Sequence, residues 1–221
     1  MKTVWIFVLL SMLTRNPLVA LLVIALLYVF IDRRFIGILP DFLAPLRRRK
    51  RAAELLREVQ VNPQNANAQL ELGESFFLRG QYRRAVNHLQ NALVKMEDSA
   101  LARFYLGAAY FHLGQLDQSR RELEESVRLN PKIAHGYPYL YLIKHGHRVG
   151  DDSRGEKLVD ALLRYGSVKS FFDTGKYFKS IGRRREAARF FDEVLDIYRL
   201  SSPTMRRNFR KMAIYARLFG R

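Results

Sequence analysis

The chain has 221 residues, a formal net charge of +17, 48% hydrophobic residues and 27% charged ones. That is enough apolar material for one sizeable core beside an attached segment, and it excludes wholesale disorder. The lack of cysteine excludes disulfides, thiolate metal sites and cysteine nucleophiles, while the positive excess points to anionic surroundings: lipid headgroups, nucleic acid or acidic proteins.

Two apolar runs open the chain, Val4 to Leu13 and Leu18 to Ile31, separated by Thr14-Arg15-Asn16-Pro17. Asn16 suits a helix cap, and Pro17 suits a first helical position, where its missing N–H costs nothing. A helix over Leu18 to Ile31 would reach about 21 Å, short of a hydrocarbon core of about 30 Å. A transmembrane helix therefore needs residues from Thr14 onward, a kinked continuation from Val4, or a hairpin with both ends on one side. Val23-Ile24-Ala25 would pass as a signal-peptide cleavage site, but the apolar run continues past it, which favours an uncleaved anchor over residues 1–34.

The cations after the anchor set its expected orientation. Arg33, Arg34 and the run Arg47, Arg48, Arg49, Lys50, Arg51 outnumber Lys2 and Arg15 before it. Positive flanks stay cytoplasmic, so the expectation is a single-pass cell-membrane protein with everything after Ile31 in the cytoplasm. Residues 35–50 read as a basic juxtamembrane linker. Its five-residue run would rest on anionic headgroups at about 1 kcal/mol per cation, or serve only as a topology signal.

From residue 51 a helical period takes over. Leu106-Gly107, Tyr110, Gly114, Ser119, Leu123, Ser126 and Pro131 follow one another in an order that suits two packed helices. Gly107 and Ser119 are small enough for close approach, Tyr110 and Leu123 fill the seam, and Gly114 turns the chain. The same landmarks stand 34 residues earlier at Leu72-Gly73, Phe76, Gly80, Ala85 and Leu89. They return 68 residues later at Gly175, Phe178, Gly182, Ala187 and Phe191. Leu55, Val59, Val61 and Asn62-Pro63 match Leu123 to Pro131 and read as a lone second helix capping the stack. The expected units are a half-repeat 51–65 and repeats 66–99, 100–131, 132–166 and 167–200. The unit 132–166 departs from the pattern, with Tyr141 and Arg148 at the landmark glycine positions. Its Pro138 is tolerated early in a first helix, and Asp151-Asp152-Ser153 is an expected cap for a shorter second one.

On these residues the chain resembles the tetratricopeptide repeat family over roughly residues 51–200. The resemblance implies an all-α fold, a right-handed superhelix of helical hairpins whose first helices line a concave face. It also implies that positions two, five, nine and twelve of those helices face inward. These are Asn67, Leu70, Glu74 and Phe77 in the first full unit, and Leu101, Phe104, Ala108 and Phe111 in the second. Lys169, Phe172, Lys176 and Lys179 follow in the fourth, and His112 also faces the groove. Leu70, Glu74 and Ala108 do not match the clamp with which the family's chaperone-binding members hold a terminal carboxylate. The closing residues 201–221 form a helix after Ser202-Pro203. Met205, Phe209, Met212, Ala216 and Phe219 lie on one face and Arg206, Arg207, Arg210, Lys211 and Arg217 on the other. It reads as a capping helix with a solvated face, or alternatively as one lying on a membrane surface.

No catalytic constellation emerges. Gly175-Lys176 lacks the glycine and the strand-to-helix context of a phosphate loop. His145-Gly146-His147 has no partnering carboxylate and reads as a polar turn. Glu124-Glu125 lies among Arg120, Arg121 and Arg128 as surface ion pairs. No enzyme activity, cofactor or metal is expected. The expected function is a membrane-anchored adaptor whose groove, aromatic at one end and basic at the other, takes a protein or peptide with hydrophobic anchors and acidic flanks. The alternative is a basic helical repeat that binds RNA or other nucleic acid.

Overall fold

A computed structural model of the chain describes residues 12, 15–31, 44–151 and 153–220. Among these residues there are eleven α-helices and no strands. Helix α1 spans Pro17–Ile31 and α2 spans Ala44–Val61. Four hairpins follow: α3 (Ala66–Leu78) with α4 (Tyr82–Leu93), α5 (Ala100–His112) with α6 (Leu116–Leu129), α7 (Tyr137–Val149) with α8 (Gly155–Tyr165), and α9 (Val168–Ser180) with α10 (Arg184–Leu200). Helix α11 (Pro203–Phe219) packs on α10 at the end of the stack.

Helix starts are set by side-chain caps. Asn65, Ser99 and Ser202 each accept a hydrogen bond from the amide three residues on, and Ser167 and Ser170 form a reciprocal capping box. First helices end at glycines with left-handed backbone, as at Gly114 (φ 78°), where a side chain would be strained. From α2 onward each helix packs chiefly on its neighbours in sequence. The first helices of successive hairpins also touch one another, so α3, α5, α7, α9 and α11 form one continuous layer.

Within a hairpin the close approach is a matter of volume. A Cβ on Gly107 would lie 2.8 Å from Leu123 Cγ and 3.1 Å from the Ser119 carbonyl oxygen. Gly73 meets Leu89, and Gly175 meets Phe191, in the same way. The bare backbone of the first helix thus seats a large side chain of the second, and Leu89, Leu123 and Phe191 are fully buried. Burial of one such leucine contributes about 2 kcal/mol.

The third hairpin keeps this plan in a different register. After Pro131 a short 3-10 turn, Ile133–Gly136, carries Ala134, His135 and Gly136 through positive φ and delays the start of α7. The turn glycine of this unit is Gly150 (φ 73°), so the step from Gly114 is 36 residues rather than 34. In that register Ile143, not Tyr141, stands where the other units have a glycine, and Gly150, not Arg148, ends the helix. The facing positions of α8 are Gly155 and Val159, so the bulk has moved from the second helix to the first. The exchange is imperfect, and a cavity of about 200 Å³ remains among α6, α7 and α8, lined in part by Val127, Ile143, Gly155 and Leu158.

Several expectations need correction. Among the described residues no helix is long and apolar enough to cross a membrane. The expected transmembrane helix is represented by α1, whose 15 residues reach only about 22 Å; the run Val4 to Leu13 lies largely outside the described residues. The basic run lies inside α2, which begins at Ala44, rather than in a linker that ends at residue 50. Arg47, Arg49 and Lys50 are exposed, but Arg51 is paired with Glu71 on α3 at 2.7 Å. His145 and His147 are helical, with His145 Nε2 bonded to the Leu116 carbonyl and His147 stacked on Tyr177. Asp151 accepts from Ser153 in the connecting turn instead of capping α8, and Asp152 lies outside the described residues.

A candidate binding groove on the concave face

The layer of first helices carries a run of aromatic rings from α3 to α9. At its amino end Phe77 sits 5.4 Å from Tyr105 and 5.9 Å from His112, measured between ring centroids. Tyr82, the first residue of α4, stacks on His112 at 4.2 Å with the rings nearly parallel. The Tyr105 hydroxyl donates to Glu74 Oε1 at 2.7 Å, and burial together with that carboxylate pushes the phenol far above its usual range. The Glu74 carboxylate is therefore a fixed acceptor rather than a swinging surface group.

Tyr141 carries the strip onto α7. Its hydroxyl is hydrogen-bonded to His112 Nε2 at 3.0 Å, and its ring stands edge-on to Phe111 at 5.4 Å. Burial, with Lys144 and Arg148 adding their charge, lowers the His112 pKa and favours the neutral imidazole. Arg148 lies 4.5 Å over the Phe111 ring and donates to the Phe111 carbonyl, closing the α5 terminus.

Between α7 and α9 the strip opens into a cleft of about 440 Å³ lined by Tyr137, Tyr141, Lys144, Asp173, Lys176 and Tyr177, among others. The Tyr137 hydroxyl donates to Asp173 at 2.6 Å and ties the two helices together. Lys144 Nζ lies 5.4 Å from the Tyr141 ring and 5.2 Å from the Tyr177 ring. Burial lowers its pKa, against an opposing pull from Asp173. Lys144 and Lys176 form no salt bridge with any described carboxylate, so this cleft presents two cations held over aromatic rings, with Asp173 beside them.

The residues expected in the groove divide into four groups. Glu74, Phe77, His112 and Lys176 stand in the strip or its cleft. Phe104, Ala108 and Phe111 lie beneath it, Phe104 at 4% and Phe111 at 7% exposure, so they are its floor. Leu70 and Leu101 are half-buried against the first and second hairpin cores, and Asn67 is exposed. At the far end Lys179 donates to the Phe219 carbonyl and lies over the Phe219 ring, while Phe172 packs on Tyr215. Both are thereby taken up by α11. Tyr82, Tyr105, Tyr137, Tyr141, Lys144 and Tyr177 were not expected. The signal that locates the α7 members is Gly150: read as the turn glycine, it places Tyr137, Leu140 and Lys144 at the positions of Leu101, Phe104 and Ala108.

Among the described residues no group of three or more histidine, aspartate or glutamate side chains could hold a metal.

Comparison with known proteins accords with this geometry. The family model for the tetratricopeptide repeat matches residues 76–135. Hsp70-Hsp90 organizing protein 3 of Arabidopsis thaliana is 28% identical over 99 residues, which are 44% of this chain and 18% of that protein, so the chain spans less than a fifth of it. Among solved structures, a thermophilic tetratricopeptide repeat protein of Thermus thermophilus superposes with a TM-score of 0.58 at 18% identity, covering 76% of this chain and 89% of that one. MamA superposes at 0.53 and 20% identity over 72% of this chain and 95% of its own. YrrB, described as having an unusual peptide-binding site, superposes at 0.50 and 14% identity over 76% and 91%. The family model thus matches residues 76–135, and the same hairpin architecture, shared with these solved tetratricopeptide repeat folds, continues on either side of them.

Proposed function

We propose that the chain is a membrane-anchored adaptor that holds a protein partner by a short peptide laid in the groove. Proteins of this repeat family mediate protein–protein interaction, and two of the similar proteins are described by a bound peptide site or by the chaperones they organise. The observation that carries the finer reading is the charge order along the aromatic strip. The Glu74 carboxylate stands at one end, rings fill the middle, and Lys144 and Lys176 stand at the other. A peptide that fits would carry an aromatic or aliphatic anchor with an acidic residue toward α7 and α9 and a basic one toward α3. First helices spaced about 10 Å apart separate these ends by about 20 Å, roughly six residues of extended chain.

Anchoring belongs to the same proposal. Leu18, Leu21, Leu22, Leu26 and Phe30 of α1 are exposed, an apolar surface that water does not favour and a bilayer interior does. The exposed cations of α2 would then face anionic headgroups, and the repeats the cytoplasm. Confinement at the bilayer raises the effective concentration of the groove for partners held there.

A random peptide library selected on the purified chain tests the groove. Enriched peptides should share an anchor followed by an acidic residue, and Tyr141→Ala or Lys144→Ala should weaken a selected peptide at least tenfold with the fold intact. Selected peptides that bind both variants as they bind the parent would sink the assignment. Extraction of membranes at alkaline pH tests the anchor, since an anchored chain stays in the pellet. Protease added outside intact cells tests orientation: cleavage of the repeats would refute it.

A further inference from the structure

Helix α11 has a second face that the groove does not use. Ala213 and Ala216 are buried, and Phe209, Met212 and Tyr215 pack with Ala216 against the carboxyl-terminal core. At 3.6 residues per turn, Arg210, Lys211, Ile214, Arg217 and Leu218 share the opposite face within an arc of about 120°. Ile214 and Leu218 lie toward its middle, 48% and 68% exposed, with Arg210 and Arg217 along one edge and Lys211 along the other. No acidic residue follows Asp196 in the chain. A merely solvated face gains nothing from a central aliphatic pair, and a phosphate-reading face would set donors in the middle.

We propose that this face docks on an anionic bilayer surface, with Ile214 and Leu218 entering the boundary between headgroups and acyl chains and the cations meeting the headgroups around them. Exposed isoleucine and leucine singly are ordinary on a protein surface. Centred between cations on a helix whose other face is already spent on the core, they match the lipid boundary in both polarity and charge. The docking is separate from peptide binding. Together with the proposed amino-terminal anchor, it would hold the helical stack at both ends and lay it along the membrane.

The lack of cysteine makes a local test direct. Leu218→Cys in the full chain gives a single site for an environment-sensitive fluorophore, and Val94→Cys, also exposed but on the loop after α4, gives a control. The labelled chain is reconstituted with phosphatidylcholine vesicles, with or without phosphatidylglycerol. The expected result is a blue shift and shielding from aqueous iodide at position 218 only, only with the anionic lipid, and reversed by high salt. Lys211→Gln or Arg217→Gln should each lower the ratio of shielded to exposed probe about fivefold, as about 1 kcal/mol per cation implies. Equal exposure of the 218 probe in both lipid mixtures overturns the proposal, as does shielding by added RNA but not by anionic vesicles. Because the probe reports α11 alone, its result stays distinguishable from a failed anchor or an inert groove.

Discussion

The hairpins α5–α6 and α7–α8 solve one packing problem with the volumes reversed. In the former, Gly107 opens the first helix and Leu123 fills the space from the second. In the latter, Ile143 supplies the bulk from the first helix, opposite Gly155 and Val159. The regular arrangement closes, with Leu123 fully buried, while the reversed one leaves the cavity of about 200 Å³. A helical repeat therefore conserves the volume at the seam rather than the identity of either side. The reversal also changes what lines the concave face. The delayed α7 brings Tyr137, Tyr141 and Lys144 onto the concave face, where the regular unit offers only Leu101, Tyr105 and Ala108.

Copying the irregular solution into the regular unit breaks the comparison most sharply. Gly107→Ile sets side-chain atoms where a Cβ already lies 2.8 Å from Leu123 Cγ and 3.0 Å from the Leu123 amide nitrogen. A loss of about 3 kcal/mol is expected in urea unfolding, since backbone cannot yield as a side chain can. A stability equal to the parent would show that the seam is looser than described. Next in size, Ile143→Ala removes a buried side chain, and its expected cost is about 2–3 kcal/mol. The lower part of the usual range applies because the site adjoins space already unfilled. A loss as large as that of Leu123→Ala would contradict a loosely packed third hairpin.

A smaller effect of opposite sign is expected at Ser119. Its hydroxyl is buried at the regular seam with no hydrogen-bond partner among the described residues. Ser119→Ala should therefore stabilise the chain by about 1 kcal/mol, read as a higher denaturation midpoint. A destabilised variant would mean that the hydroxyl is satisfied. The smallest effect concerns pH. Burial lowers the pKa values of His88 and His112, both in the amino-terminal hairpins, below the unfolded value of 6.5. Their neutral forms are favoured by folding, so their contribution is complete above about pH 6.5 and is lost as pH falls through the lower folded values. A slight drop of the thermal midpoint between pH 7.5 and 5.5 should flatten in the double variant His88→Gln, His112→Gln. An unchanged slope would assign the pH dependence elsewhere.

Much of the architecture is legible because regular repeats state their own period. Gly73, Gly107 and Gly175 seat Leu89, Leu123 and Phe191, and each glycine-and-bulk pair lies within a single hairpin. The start of α11 at Ser202-Pro203 is equally local, and Ser202 accepts the Met205 amide. The groove was harder to read. Phe104 and Phe111 occupy inward positions, yet each helix also packs on its successor, and Tyr141 and Arg148 close over them. Lys179 was expected in the groove, but Phe219, 40 residues away, takes it. An inward position in a repeat pattern says which way a side chain points, not what arrives to cover it.

By itself the sequence determined the regular helical hairpins, the cap of α11 and the glycine seams, because those depend on residues close in the chain. It also determined the charge excess and the apolar opening run, which any conformation would keep. Tertiary structure decided the register of the third hairpin, through three residues at positive φ that no 34-residue count can include. It decided, too, which aromatic rings stay accessible and which cations remain without a carboxylate. Those outcomes depend on packing between helices distant in sequence, where a shift of two residues turns a side chain by more than half a helical turn.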